Sequence, residues 1–222
     1  MLGFFDYTCW LTYLSLLSAG SGILLCLNDE GHPYVGIFFL MFSGLCDAFD
    51  GKVARTKKNR SEVEKNFGIQ IDSLTDVVAF GVLPACIGYA MLRKFPFMER
   101  FPLISVFFAI MLIYMLAAMI RLAYFNVMEE ERQKKEDTVR EYYSGLPVTS
   151  SALIFPVILL VHYIVVWDIT PIYFAAMLFT AFAFILPIPV KKPKLNGILI
   201  LVGIGAVIFI ALLWLIISRT RL

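Results

Sequence analysis

Seven apolar stretches, each near the length of a membrane-crossing helix, occupy most of this chain. They fall at roughly 8–27, 33–50, 72–92, 102–125, 148–167, 171–190 and 196–217. A spanning helix needs about 20 predominantly apolar residues, and in lipid only helices and closed barrels satisfy their backbone hydrogen bonds. The alternating pattern of barrel strands is absent. The sequence therefore predicts an all-α integral membrane protein, a single domain over 1–222 with a six-helix transmembrane core (8–195) and an extra C-terminal helix (196–217).

The composition supports a membrane location and argues against nucleic acid as a partner. Only 16% of the residues are charged, whereas a soluble domain carries about 25%. The net charge of +2 is too small to favour nucleic-acid binding. Lys and Arg concentrate in the 51–71, 121–147 and 191–195 regions. Because basic connections stay in the cytoplasm, we expect these regions to face it in a multi-pass protein of the cell membrane.

Four aspartates interrupt the apolar pattern and indicate a functional site. Asp47 and Asp50 close the second stretch, and Asp72 and Asp76 open the third. Spacings of three and four residues place each pair on one helical face, and two antiparallel helices can turn those faces toward each other. Carboxylates beside lipid are costly unless a cation neutralises them. An all-oxygen cluster suits Mg²⁺ or Mn²⁺ and can also take Ca²⁺, and two ions are compatible with four carboxylates.

The neighbours of the aspartates indicate a phosphate ligand. Gly51 and Ala54 are small enough to let a ligand approach the backbone, and Arg55 presents a planar fork of donors that matches phosphate oxygens. Gly68 lies four residues before Asp72, and we expect the third helix to start just after it. Capping of a helix N-terminus is an alternative role for an aspartate, but it would explain Asp72 alone.

The run from Asp47 to Asp76 resembles the signature of the CDP-alcohol phosphatidyltransferase family, D-x-x-D-G-x-x-A-R-x8-G-x3-D-x3-D. Every fixed position is matched, but 12 residues rather than about 8 separate Arg55 from Gly68, and we expect the extra four to lengthen the cytoplasmic loop. Further segments are similar to the phosphatidylserine synthase branch of the family, with Tyr124 in place of the branch's second Arg. These segments are DSLTDVVAFGVLPA (72–85), RLAYFN (121–126) and YSGLPVTSSA (143–152).

The resemblance implies a homodimer with a polar cavity that faces the cytoplasm and opens laterally to lipid. It implies that the four aspartates bind divalent metal and that Asp76 is also the general base. Tyr13 and Ser15 stand where the branch has substrate residues on its first helix. The resemblance assigns the CDP moiety of the lipid substrate to Gly51, Ala54, Arg55 and Gly68.

The expected acceptor is L-serine, with Arg121 and Asn126 as its binding residues. Arg121 could pair with the serine carboxylate, although an Arg at a helix end can also serve only as a snorkelling anchor. The implied reaction moves the phosphatidyl group from CDP-diacylglycerol, or from CDP-archaeol, to the serine hydroxyl and releases CMP. Glycerol 3-phosphate and inositol phosphate stay open as acceptors. A divalent-cation transporter is the alternative from a different class.

Overall fold

The structure is a computed structural model that describes residues 3–28, 31–95, 101–135, 142–162, 168–191 and 195–220. The chain is almost entirely helical. Its elements in order are α1 (Trp10–Leu27), α2 (Pro33–Ala54), α3 (Glu62–Asp76), a π-helical segment (Val77–Val82), α4 (Leu83–Leu92), α5 (Phe101–Lys135), β1 (Tyr142–Ser144), a 3-10 turn (Val148–Ser150), α6 (Ser151–His162), α7 (Thr170–Ile185), β2 (Pro189–Lys191) and α8 (Leu195–Thr220).

Five helices in the described ranges are long and apolar enough to cross a membrane, and two further apolar helices are shorter. The shorter ones are Val148–Val161 and Thr170–Ile185. The all-α membrane fold is therefore confirmed, while the number of core helices that cross fully stays a prediction. Residues 163–167 of the fifth predicted span lie outside the described residues. The five long helices are Trp10–Leu27, Pro33–Ala54, Glu62–Leu92, Pro102–Arg132 and Leu195–Ser218.

The third helix begins at Glu62, so the prediction that it starts just after Gly68 was wrong. Ser61 and Glu64 form a capping box: the Glu64 N–H donates to Ser61 Oγ at 3.2 Å, and the Ser61 N–H donates to Glu64 Oε2 at 2.8 Å. This reciprocal pair satisfies two amide donors that a helix start would leave without partners. The residues expected to lengthen the loop before Gly68 therefore extend a helix, which corrects that expectation too.

The fourth and sixth predicted helices also end elsewhere than the hydropathy suggests. α5 continues to Lys135 rather than ending at 125, because its polar end carries ion pairs one turn apart, such as Glu130 to Lys134 at 2.9 Å. Such pairs stabilise exposed helix. α7 ends at Ile185 rather than at 190. Pro187 disfavours helical backbone at the residue before it, and the chain instead runs on into β2, which pairs antiparallel with β1.

Close contact between helices in the core depends on small residues. A Cβ added to Gly44 of α2 would lie 2.5 Å from the Ala152 Cβ of α6, and one added to Gly36 would lie 2.5 Å from Cys26 Sγ of α1. The hydroxyls of Ser15 and Ser43 reciprocate: each donates to the other's backbone carbonyl, at 3.4 Å and 3.1 Å. Small residues and hydroxyls of this kind hold transmembrane helices together where lipid removes the hydrophobic driving force.

Pro84 accounts for the π-helical segment that follows Asp76. A proline has no N–H to donate to the carbonyl four residues earlier, which here belongs to Phe80. The Tyr114 hydroxyl of α5 donates to this carbonyl at 2.7 Å, and both side chains are fully buried. A π turn inside a helix is often found at a functional site. The backbone that carries Asp76 is thus shaped by a proline two turns further on.

Candidate active site

Three of the predicted metal ligands meet between α2 and α3. One carboxylate oxygen from each of Asp47, Asp50 and Asp72 lies within 4.8 Å of the other two. α2 supplies two of them from its last turns, and α3, which starts at Glu62, supplies the third from about one turn before its end. The helix-cap role is therefore excluded for Asp72, because ten residues of helix precede it.

The fourth aspartate, Asp76, lies beside this group rather than within it. It is the last residue of α3, it is 8% exposed, and its carboxyl group interacts electrostatically with that of Asp47. The guanidinium of Arg121 on α5 interacts electrostatically with both carboxylates. Asp76 is thus next to the proposed ligands and also next to a cation, a position that separates it from the other three.

A cavity of about 190 Å³ opens beside Asp50 and Asp72. It brings together the residues that the resemblance assigns to the CDP moiety, which come from the end of α2 and from the first half of α3. A Cβ added to Gly51 would meet only the Arg55 guanidinium, at 3.8 Å, so Gly51 leaves open space in front of its backbone. The lining is Thr8, Cys9, Thr12, Asp50, Gly51, Ala54, Arg55, Arg60, Lys65, Gly68, Ile69 and Asp72.

Several lining residues were missed by the sequence reasoning. The Thr12 hydroxyl donates to Asp50 Oδ2 at 3.4 Å, and Thr8 lies in the turn that precedes α1. Two hydroxyl side chains at the start of the first apolar stretch are a signal that could have identified them. By contrast, Tyr13 donates its hydroxyl to the Phe4 carbonyl at 2.6 Å, and Ser15 bonds across to α2.

The two residues predicted to bind serine both lie in the second half of α5, five residues apart. Arg121 is 8% exposed and stacks on the Phe125 ring at 5.1 Å. Asn126 donates from Nδ2 to Ser73 Oγ at 2.7 Å, and Ser73 follows the predicted ligand Asp72 in the chain. Asn126 is thus bonded to the residue next to Asp72, and Arg121 interacts electrostatically with the carboxylates of Asp47 and Asp76.

An ion-pair network ties the segment before α1 to the loop that covers the cavity. Lys57 Nζ lies 2.6 Å from Asp6 Oδ2 and 2.8 Å from Glu64 Oε1. The hydrogen bond from Lys57 lowers the pKa of Asp6 to about 2, with Thr8 as a second donor. The same contact raises the pKa of Lys57 to about 12. Thr8 of the cavity wall donates its N–H to Asp6 Oδ1 at 2.9 Å and is thereby tied to this network.

The donor chemistry of the aspartate group fits a hard divalent cation. Three carboxylates with oxygens within 4.8 Å of one another repel strongly unless positive charge lies among them. The donors are all oxygen, which Mg²⁺, Mn²⁺ and Ca²⁺ prefer over the imidazole or thiolate that would favour zinc. The three carboxylates therefore fit the divalent metal that the sequence resemblance implies.

Comparison with known proteins places the chain in a class of membrane enzyme. The sequence profile of the CDP-alcohol phosphatidyltransferases matches residues 7–218. The chain belongs to the CDP-alcohol phosphatidyltransferase family, which confirms the expectation drawn from the Asp47–Asp76 signature. The match includes α8, the helix beyond the predicted core.

The curated relatives are serine-transferring members of this family. CDP-diacylglycerol–serine O-phosphatidyltransferase of Saccharomyces cerevisiae is 34% identical over 152 residues, which cover 64% of this chain and 50% of that protein. Archaetidylserine synthase of Methanothermobacter thermautotrophicus is 32% identical over 143 residues, 63% of this chain and 53% of that protein. The Methanocaldococcus jannaschii CDP-diacylglycerol–serine O-phosphatidyltransferase is 30% identical over 143 residues, 64% and 56%. The chain spans about half the length of the curated relatives it matches.

Proposed function

We propose that this protein transfers the phosphatidyl group of a CDP-activated lipid to the hydroxyl of L-serine and releases CMP. The observation that carries the proposal is the cavity beside Asp50 and Asp72, whose wall contains Gly51, Arg55 and Gly68. A site with carboxylates on one side and cations on the other suits a metal-bound pyrophosphate. The names of the relatives support serine as acceptor and support diacylglycerol or archaeol as the lipid part.

The metal would be held by Asp47, Asp50 and Asp72, with Asp76 beside them. When bound, Mg²⁺ or Mn²⁺ would neutralise charge on the two phosphates and on the departing CMP. The protein's own groups do the rest. Arg55 and the open backbone at Gly51 orient the CDP moiety, and this positioning supplies much of the rate enhancement.

Asp76 is the proposed general base. The serine oxygen bonds to the lipid-linked phosphorus, its proton passes to the Asp76 carboxylate, and the bond from that phosphorus to CMP breaks. Arg121, which interacts with the Asp76 carboxylate, would pair with the serine carboxylate. Asn126, bonded to Ser73, would fix the amino-acid end of the acceptor. Asp76→Asn should abolish turnover and retain CMP binding, and wild-type turnover in this variant would remove Asp76 from the role of base.

The proposal includes a location and an assembly. The polar ends of α2, α3 and α5, which carry the Lys- and Arg-rich regions, would face the cytoplasm of a cell membrane, as positively charged connections generally do. The substrates would reach the site from two phases, the lipid laterally and serine from water. The protein would act as a single domain and as a homodimer, as the family resemblance implies.

Cation transport is less compatible with this cavity. Arg55, Arg60 and Lys65 contribute to its wall, and a path lined by three cationic side chains would repel a divalent cation. The same three cationic side chains would attract and bind a substrate that carries two phosphates.

The acceptor is tested with purified protein, CDP-diacylglycerol and Mn²⁺, by measuring CMP release with serine, glycerol 3-phosphate or inositol phosphate. Serine is expected to be the one that supports release. Arg121→Ala should then raise the KM for serine at least 10-fold and change the KM for the CDP-lipid little. Equal effects on both substrates would contradict the assignment of Arg121, and no release with any acceptor would contradict the enzyme itself.

A further inference from the structure

The guanidinium of Arg60 lies directly on Gly68. A Cβ built on Gly68 would be 2.7 Å from Arg60 Nη2 and 3.8 Å from Arg60 Cζ. The side chain thus folds back along the first turns of α3, and Nη2 donates to the Glu64 carbonyl at 3.1 Å. Any residue larger than glycine at position 68 would displace this side chain.

Arg60 also has hydrogen-bonding capacity that the described part of the protein leaves unused. Its Nε is buried and has no hydrogen-bond partner there, although a guanidinium offers five donors. A buried donor without an acceptor is costly. The same side chain lines the cavity together with Arg55 and Lys65, so an anionic ligand in the cavity would supply acceptors within its reach.

The position of Arg60 in the chain explains why the family signature does not reveal it. It belongs to the 12 residues between Arg55 and Gly68, the one interval that is longer here than in the signature. The capping box at Ser61 starts α3 immediately after Arg60, which turns the Arg60 side chain back toward Gly68. This interval, whose residues the signature does not specify, therefore contributes a cation to the cavity wall.

We propose that Arg60 is a specificity-determining residue for the nucleoside-phosphate half of the substrate, and that Gly68 acts by seating it. This inference rests on the proposed function. The planar fork of Arg60 donates to phosphate or pyrimidine oxygens of the CMP moiety. Gly68 then contributes indirectly, through the space that it leaves for Arg60, rather than through direct room for the ligand.

The two roles of Gly68 are separated by a double-mutant cycle on the binding of CMP with Mn²⁺, measured by calorimetry on the purified full chain. We expect Arg60→Ala to weaken CMP binding about 10-fold or more, the scale of a hydrogen bond to a charged group. Gly68→Ala should weaken it comparably, and the double variant should bind no worse than Arg60→Ala alone. Lys58→Ala, an exposed cation in the same loop, is the matched control and should bind as wild type does.

Two results would overturn the inference. One is CMP binding by Arg60→Ala equal to that of Lys58→Ala; the other is a Gly68→Ala effect of full size in the Arg60→Ala background. If Arg60→Ala does not fold, Arg60→Lys decides, because it keeps the charge but loses the fork: binding weakened several-fold supports the inference, and unchanged binding refutes it. Failure of wild-type protein to bind CMP would instead refute the proposed function, and failure to use serine would leave the binding test intact.

Discussion

The close approach of the Asp47, Asp50 and Asp72 carboxylates leads to a prediction about stability: removal of one carboxylate should stabilise the metal-free protein. One carboxylate oxygen from each of Asp47, Asp50 and Asp72 lies within 4.8 Å of the other two. Two unit charges at this distance repel by about 3.5 kcal/mol at an effective dielectric constant of about 20. Asp72→Asn removes two of the three repulsive pairs and keeps the shape of the side chain.

The net gain is smaller than the sum of the two repulsions, because proton uptake by the wild-type group relieves part of them. We expect a gain of about 2–4 kcal/mol, which for a chain of this length corresponds to a Tm increase of at least about 4 °C. Thermal melting in detergent with a chelator measures it. Glu130→Gln is the control, since it removes one exposed carboxylate of α5, and the loss of its exposed ion pair with Lys134 should change stability little.

Adding Mn²⁺ should stabilise wild type more than the variant, and so remove most or all of the difference between the two proteins. At a concentration 100 times the Kd, a bound ion stabilises the folded state by about 2.7 kcal/mol, and the variant loses most of this gain. The reasoning is refuted if Asp72→Asn melts below wild type in chelator and both proteins respond equally to Mn²⁺.

Three further changes test other parts of the structure. Tyr114→Phe leaves the buried Phe80 carbonyl without its 2.7 Å donor and should lower stability by about 1–3 kcal/mol; an unchanged Tm would show that another group satisfies this carbonyl. Gly145→Ala, at φ +82° with a carbonyl oxygen of α7 only 2.7 Å from the new Cβ, should cost at least about 1–2 kcal/mol. Lys57→Met should raise the pKa of Asp6 from about 2 toward 3.8. A carboxyl group whose pKa is lowered by folding stabilises the folded protein at pH values above its ordinary pKa, and this stabilisation is lost as the group is protonated. The difference in stability between wild type and this variant should therefore shrink as the pH falls from 4 to 2. A difference that stays constant over this range would contradict the role of Lys57.

The sequence predicted the helices and the convergence of the aspartates because both depend on local periodicity. Apolar runs define where helices lie, and spacings of three and four residues fix which side chains share a face. The helix ends were less well predicted, because hydropathy averages over them. The Ser61-x-x-Glu64 capping box was nonetheless readable in the sequence, as was the helix-ending effect of Pro187.

The rest of the site depends on contacts between distant parts of the chain. Thr12 reaches Asp50 across 38 residues, and Asn126 reaches Ser73 across 53. Nothing local marks these pairings, since either side chain could have faced lipid or a neighbouring helix. Arg60 and Gly68 are only eight residues apart, yet their contact could not be predicted from the sequence either, because it depends on where α3 begins.

The central claim is that the aspartate-lined cavity transfers a phosphatidyl group from CDP-lipid to serine. It is tested most directly by supplying labelled serine and CDP-diacylglycerol to the purified protein in liposomes with Mn²⁺, and measuring labelled lipid and CMP together. The account predicts one serine-containing lipid for each CMP released, with both products lost in Asp72→Asn. Release of CMP without labelled lipid, or formation of labelled lipid that survives this substitution, would contradict it.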